Sequence, residues 1–396
     1  TRWLSDWSSD VCSSDLWKGS KLAIQRLKEA VKEIRKTKDH ILAAEGALLL
    51  LERMWPALQQ IDSSSGALGN ATNAAVHDLV QFLIDAPAEA KLRDKWLERL
   101  WQAMEEDGVD FLYEAGERWG ELCKEPAVAL RWADQLRFPV ELTWKEGGYY
   151  RGTPAFLSCL LLAQRYDELL KLIDKAPYLS WSYRKYGVKA LAAAGKPEEA
   201  IRYAEASQGL NDGYTRIAAV CETILIDAGR PEEAYRRFAL AATTGTTHLA
   251  RFRALAKKYP DRAPEQILRD LIAITQGEEG KWFATAKTLN LFEMAATLAR
   301  QSPVDIATLN RAARDFLEKK PAFALETALA ALHWLAAGKF YEITSADVHD
   351  AVQYACEGAS KMGRKAEILQ RLTAIAEAPQ AEDFVRQQIK KALGLS

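Results

Sequence analysis

GKPEEAIRYAEAS, residues 195–207, is answered by GRPEEAYRRFALA, residues 229–241. From Gly195 to Gly229 is a step of 34 residues, and the two stretches share Gly, Pro, Glu, Glu and Ala at matching positions. Each shared residue has a local physical reason. Glycine takes the left-handed conformation that ends one helix, and proline suits the first turn of the next because the N–H it lacks would be unpaired there. Glu198 and Glu199, like Glu232 and Glu233, then stand in that first turn, where the helix dipole favours negative charge. Ala200 and Ala234 follow, small enough to let paired helices approach. Together they predict helix, tight turn, helix, repeated.

Working outward, AQRYDELLKLIDKAP places Gln164 in the turn and Leu169 in the alanine slot, 31 residues before Gly195. Fainter echoes lie at Gly338 and Gly363. From about Tyr150 to Thr243, roughly a quarter of the chain, the pattern resembles tetratricopeptide repeats, whose period is 34. Phe238 and Ala241 fall where that pattern wants packing residues. Val188 and Glu222 occupy a position usually small, and no proline closes either repeat, so the resemblance is to a divergent member. It implies an all-α chain of helical-hairpin repeats forming a tetratricopeptide-like α-solenoid. The C-terminal stretches GEEGKWFATAK (277–287) and SPVDIATLNRAARDFLEKKPAFALETALAALHWL (302–335) resemble uncharacterised bacterial helical proteins, from which no activity carries over.

The rest of the chain is also helical in period. Leu22, Leu27, Val31 and Ile34, then Ile41, Leu42, Leu48 and Leu49, are expected to form buried stripes. Asp62 to Asn70 is a Ser/Gly loop expected to cap a helix over 74–84. X-Pro steps at 87, 126, 177, 260, 303, 321 and 379 interrupt the helical pattern. Only 139–152, with Gly147-Gly148, offers a strand hairpin, or equally a connection between helical blocks. The expected organisation is a helical region over 17–140, a connector over 141–152 and the repeat region over 153–396.

The opening is different. Asp6 to Leu16, DWSSDVCSSDL, matches the translation of a common short-read sequencing adapter, so residues 1–16 are expected to be non-native and the natural sequence to begin near Trp17.

Composition narrows function further. With 53 Lys and Arg against 54 Asp and Glu, the net charge of −1 provides no global field toward nucleic acid or anionic lipid. The five cysteines never fall at metal or redox spacing, which suits a reducing, cytoplasmic compartment. The apolar runs 41–51 and 155–163 are too short to span a bilayer. Gly277-Glu-Glu-Gly-Lys281 lacks the glycine and hydroxyl of a phosphate loop. Asp347, His349 and Asp350 read as helix-start residues, and Trp96, Trp101, Trp119 and Trp132 as core. No catalytic residue, cofactor or metal is expected.

A solenoid instead offers the first helices of its pairs as an extended surface for a protein or peptide. The repeat register puts Arg151, Pro154 and Ser158, then Ser182, Lys185 and Lys189, then Arg216, Ala219 and Thr223 on it. The basic members, Arg151, Lys185, Lys189 and Arg216, predict an acidic partner. The function this implies is a non-catalytic interaction scaffold. The alternative is an accessory or regulatory module of a larger enzyme or nucleic-acid-associated protein whose N-terminal domain is missing.

Overall fold

The computed structural model describes residues 16–61, 66–209, 212–379 and 381–395. The adapter-like segment up to Asp15 lies outside them, as do the serines of the 62–70 loop. Two compact units divide the chain at Ala228 and Gly229. The first contains α1 (Leu16–Lys36), α2 (His40–Leu58), α3 (Ala67–Asp85), α4 (Ala90–Glu106), α5 (Tyr113–Glu117) and α6 (Trp119–Cys123). It continues with α7 (Pro126–Lys145), α8 (Thr153–Leu162), α9 (Tyr166–Ile173), α10 (Trp181–Ala193), α11 (Pro197–Glu205) and α12 (Tyr214–Asp227). The second opens with α13 (Pro231–Ala234), a π-helical turn over Tyr235–Ala239 and α14 (Leu240–Ala242), then α15 (His248–Lys258) and α16 (Pro264–Ala273). After a 3-10 turn at Glu279–Trp282 come α17 (Phe283–Thr288), α18 (Phe292–Gln301), α19 (Ile306–Phe316), α20 (Pro321–Ala336), α21 (Ser345–Lys361), α22 (Lys365–Glu377) and α23 (Asp383–Leu393).

Every described element is helical, and antiparallel helical hairpins recur among them. Their turns share one device. Gly195, Gly229, Gly338 and Gly363 have φ between 63° and 76°, and the non-glycine residues Lys124, Gln164 and Asn290 lie at 56° to 62°. At Gln164, Gly195 and Asn290 the N–H of the left-handed residue and that of its successor both donate back to the preceding helix, at 2.9 to 3.1 Å. These paired bonds satisfy carbonyls that a helix end leaves open. Pro126, Pro197 and Pro231 then start the helices after Lys124, Gly195 and Gly229, as their missing N–H allows, and Pro321 starts α20 without such a turn before it.

Within the first unit, α3, α5, α8 and α10 pack successively side by side, with α6 also against α8. Helices α6 and α8 come close together at Gly120. Its N–H donates to Ser158 Oγ at 2.9 Å, and a Cβ there would stand 2.4 Å from the Ser158 carbonyl oxygen. Beneath these helices Trp101, Trp119 and Trp132 form a triangle with centroids 5.0 to 5.4 Å apart. That assigns the tryptophans of α4, α6 and α7 to the core. Buried Arg93 ties three backbone ends together, donating to the carbonyls of Leu83, Ala86 and Leu122. In the second unit Phe283, Phe292, Phe316 and Phe323 cluster at 5.0 to 6.1 Å, and α19, α20 and α21 pack on one another.

Several local expectations need correction. Helix α3 begins at Ala67 behind left-handed Gly66, without a side-chain cap, so Asn70 lies inside its first turn. Leu22 and Leu42 are exposed, at 37% and 62%. The buried stripes run instead through Ala23, Leu27 and Val31 and through Ala44, Ala47, Leu48 and Leu51, since 100° per residue carries Leu22 and Leu42 past the edge of the covered face. No strand occurs among the described residues. Helix α7 passes through Pro139 to Lys145, and a turn at Gly147 leads on to α8.

Candidate functional site

The predicted surface residues lie on α8, α10, α12 and the turn before α8, all in the first unit. Ser182, Lys185 and Lys189 follow the i, i+3, i+7 spacing that aligns side chains along one face of a helix. Two of the nine predicted positions do not reach a surface: Pro154 and Ser158 are buried, Ser158 holding the Gly120 N–H. Thr223 turns its hydroxyl back to the Ala219 carbonyl at 2.9 Å.

The four cations separate into two kinds. Arg151 is committed: its guanidinium meets Asp110 Oδ1 at 2.8 Å and donates to the Met104 carbonyl at 2.6 Å. Lys185 is committed too, its Nζ paired with the Glu117 carboxylate from α5. Burial pushes the Lys185 ammonium below its usual range, Glu117 opposes that, and nearby Lys189 and Arg216 add to the lowering. This places Lys189 and Arg216 within electrostatic range of Lys185. Both are exposed and neither has an ion-pair partner among the described residues.

Toward the start of α10 the surface becomes aromatic, which sequence reasoning missed. The Tyr113 hydroxyl bonds Ser182, and burial together with Glu117 raises its pKa. The hydroxyls of Tyr178 and Tyr183 are 3.1 Å apart, and the Tyr183 ring stands 5.3 Å from that of Trp144. Tyr178 and Tyr149 remain 44% and 50% exposed, enough for both rings to be available to a partner. These tyrosines come from α5, the turn before α8, the segment before α10 and α10 itself. Only the density of tyrosines at 149–150 and 178–186 could have signalled them.

Motifs set aside as structural have structural partners. Gly280 donates its N–H to Ser302 Oγ at 2.6 Å, so it is not free to cradle a phosphate. Asp347 closes a capping box with Thr344 at the start of α21. Among the described residues no group of three or more His, Cys, Asp or Glu could hold a metal ion, and no helix is long and apolar enough to cross a membrane.

No family model matches the chain, and no curated protein matches it. Among solved structures it is similar to one described as the crystal structure of the APC/C hetero-tetramer Cut9-Hcn1. The identity is 11%, the match covers 99% of this chain and 80% of that one, and the TM-score is 0.27. At that score the likeness carries no weight for fold or function, which rest on the geometry above.

Proposed function

We propose that the chain is a protein-interaction scaffold whose first unit takes an extended acidic peptide along α10 and α12. The observation that carries this is the pair of exposed cations Lys189 and Arg216, which have no ion-pair partner among the described residues, continuing a stripe that begins at the tyrosines near Ser182. Ion-paired groups gain little from a new partner, whereas free cations of this kind steer and grip carboxylates. Arg151 and Lys185 are therefore assigned to holding the helices in place, with the contact to ligand left to Lys189, Arg216 and the exposed rings of Tyr149 and Tyr178. Exposed tyrosine supplies contact area at low entropic cost.

The test is fluorescence anisotropy with a labelled Asp/Glu-rich peptide and its Asn/Gln counterpart of equal length. The acidic peptide is expected to bind more tightly, with an advantage that shrinks as salt rises. Lys189→Glu combined with Arg216→Glu should weaken it about tenfold or more. Equal binding of the two peptides, or an unchanged affinity in the double variant, would refute the proposal.

A further inference from the structure

Cys123 ends α6 and Cys159 sits in the middle of α8, the helices brought together at the Gly120–Ser158 contact. Both residues are fully buried and both thiols are free. Their side chains interact across the packed α6 and α8 helices. Chance burial would leave two thiols apart. Here the glycine contact, one helical turn before Cys123 and one residue before Cys159, removes the side-chain bulk that would separate the helices.

The two thiols differ in their surroundings. Cys123 lines a surface cleft of about 370 Å³ together with Asp85, Arg93, Asp94, Lys124 and Glu125. The Arg93 and Arg131 guanidinium groups both lie within electrostatic range of it. Cys159 lies within α8, and burial pushes its thiol well up. A small oxidant entering the cleft therefore approaches Cys123 before Cys159.

We propose that Cys123 and Cys159 are an oxidisable dithiol that closes to a disulfide and clamps α6 to α8. With a hydroperoxide as oxidant, the Cys123 sulfur attacks the O–O bond, giving Cys123 sulfenic acid and releasing water or an alcohol. The Cys159 sulfur then attacks Cys123 Sγ, the S–O bond breaks, and the departing hydroxide takes the Cys159 proton as water. The two cysteines lose two electrons in total, and the peroxide gains them. The clamp holds α6, the helix directly after α5, whose last residue is Glu117, and so fixes the support of the Glu117–Lys185 ion pair.

The test treats the full chain with hydrogen peroxide, blocks remaining thiols with N-ethylmaleimide and maps non-reduced peptides by mass spectrometry. The expected result is a peptide pair joined through Cys123 and Cys159 that separates on reduction. It should be absent in Cys123→Ser, in which Cys356 alkylates as before. The melting temperature should rise on oxidation and return on reduction. Cys123 and Cys159 both recovered alkylated after a dose that oxidises the less buried Cys356 would overturn the proposal. So would Cys123 joined to any other thiol, or a crosslink that lowers the melting temperature.

Discussion

Arg93→Ala is the change from which the packing of the first unit should suffer most for a single polar side chain. Arg93 is 7% exposed, and its guanidinium donates to the Leu83, Leu122 and Ala86 carbonyls at 3.1, 3.2 and 2.5 Å. Removing it leaves three acceptors short of a donor, each costing about 1 kcal/mol where the adjoining cleft readmits water and up to about 3 where it does not. Losing the methylene stem adds about 1 kcal/mol of packing. Against this, burial holds the Arg93 pKa below its ordinary value, and the variant regains that desolvation cost. The expected net loss is about 3 kcal/mol, with Arg93→Lys losing about half as much because it keeps a charge and a donor but not the planar fork. Urea unfolding followed by fluorescence of the core tryptophans reads this directly, as a lower midpoint at unchanged slope. A loss below about 1 kcal/mol for Arg93→Ala would mean that water serves the three carbonyls equally well, and the argument from buried acceptors would be wrong.

Two further outcomes are expected. Gly120→Ala should destabilise the same transition by about 3 kcal/mol, because its Cβ meets a backbone oxygen that cannot rotate away; wild-type stability would show that α6 and α8 separate freely. In the second unit, His248 lies edge-on to the Trp282 ring with centroids 4.6 Å apart, and burial, then Lys281 and Arg251, lower its pKa from 6.5. The unfolded chain therefore binds the proton more readily, so the stability His248 contributes is present above pH 6.5 and is lost as pH falls through that value toward the folded pKa. His248→Gln should flatten the fall in urea midpoint between about pH 7.5 and about pH 5, and an unchanged slope would remove His248 from the account.

Legibility followed range along the chain. The hairpin turns at Gly195 and Gly229 declare themselves because glycine and proline act within four residues, and Gln164 was found only by its distance from Gly195. Lys124 adopts the same left-handed conformation without being glycine or asparagine, so only the Pro126 after it marks its hairpin, while Asn290, a residue type that tolerates this conformation, has no proline after it to complete the signal. The surface was legible as a register and not as a charge state. Lys185 looks as free as Lys189 in sequence, because its partner Glu117 stands 68 residues earlier. Arg151 likewise meets Asp110, in the hairpin before its own. Tertiary pairing of this kind has no local pattern to announce it, and it decides which cations remain for a ligand.

The turn geometry has a bearing on how such a chain grows. A hairpin closed at Gln164, Gly195 or Asn290 by two main-chain bonds asks nothing of neighbouring side chains except one residue able to turn left-handed. Copying or deleting a helix pair at these points therefore leaves both new ends already closed. Steps as unequal as the 31 residues from Gln164 to Gly195 and the 34 from Gly195 to Gly229 are then the natural record of a ruler that counts conformations instead of residues.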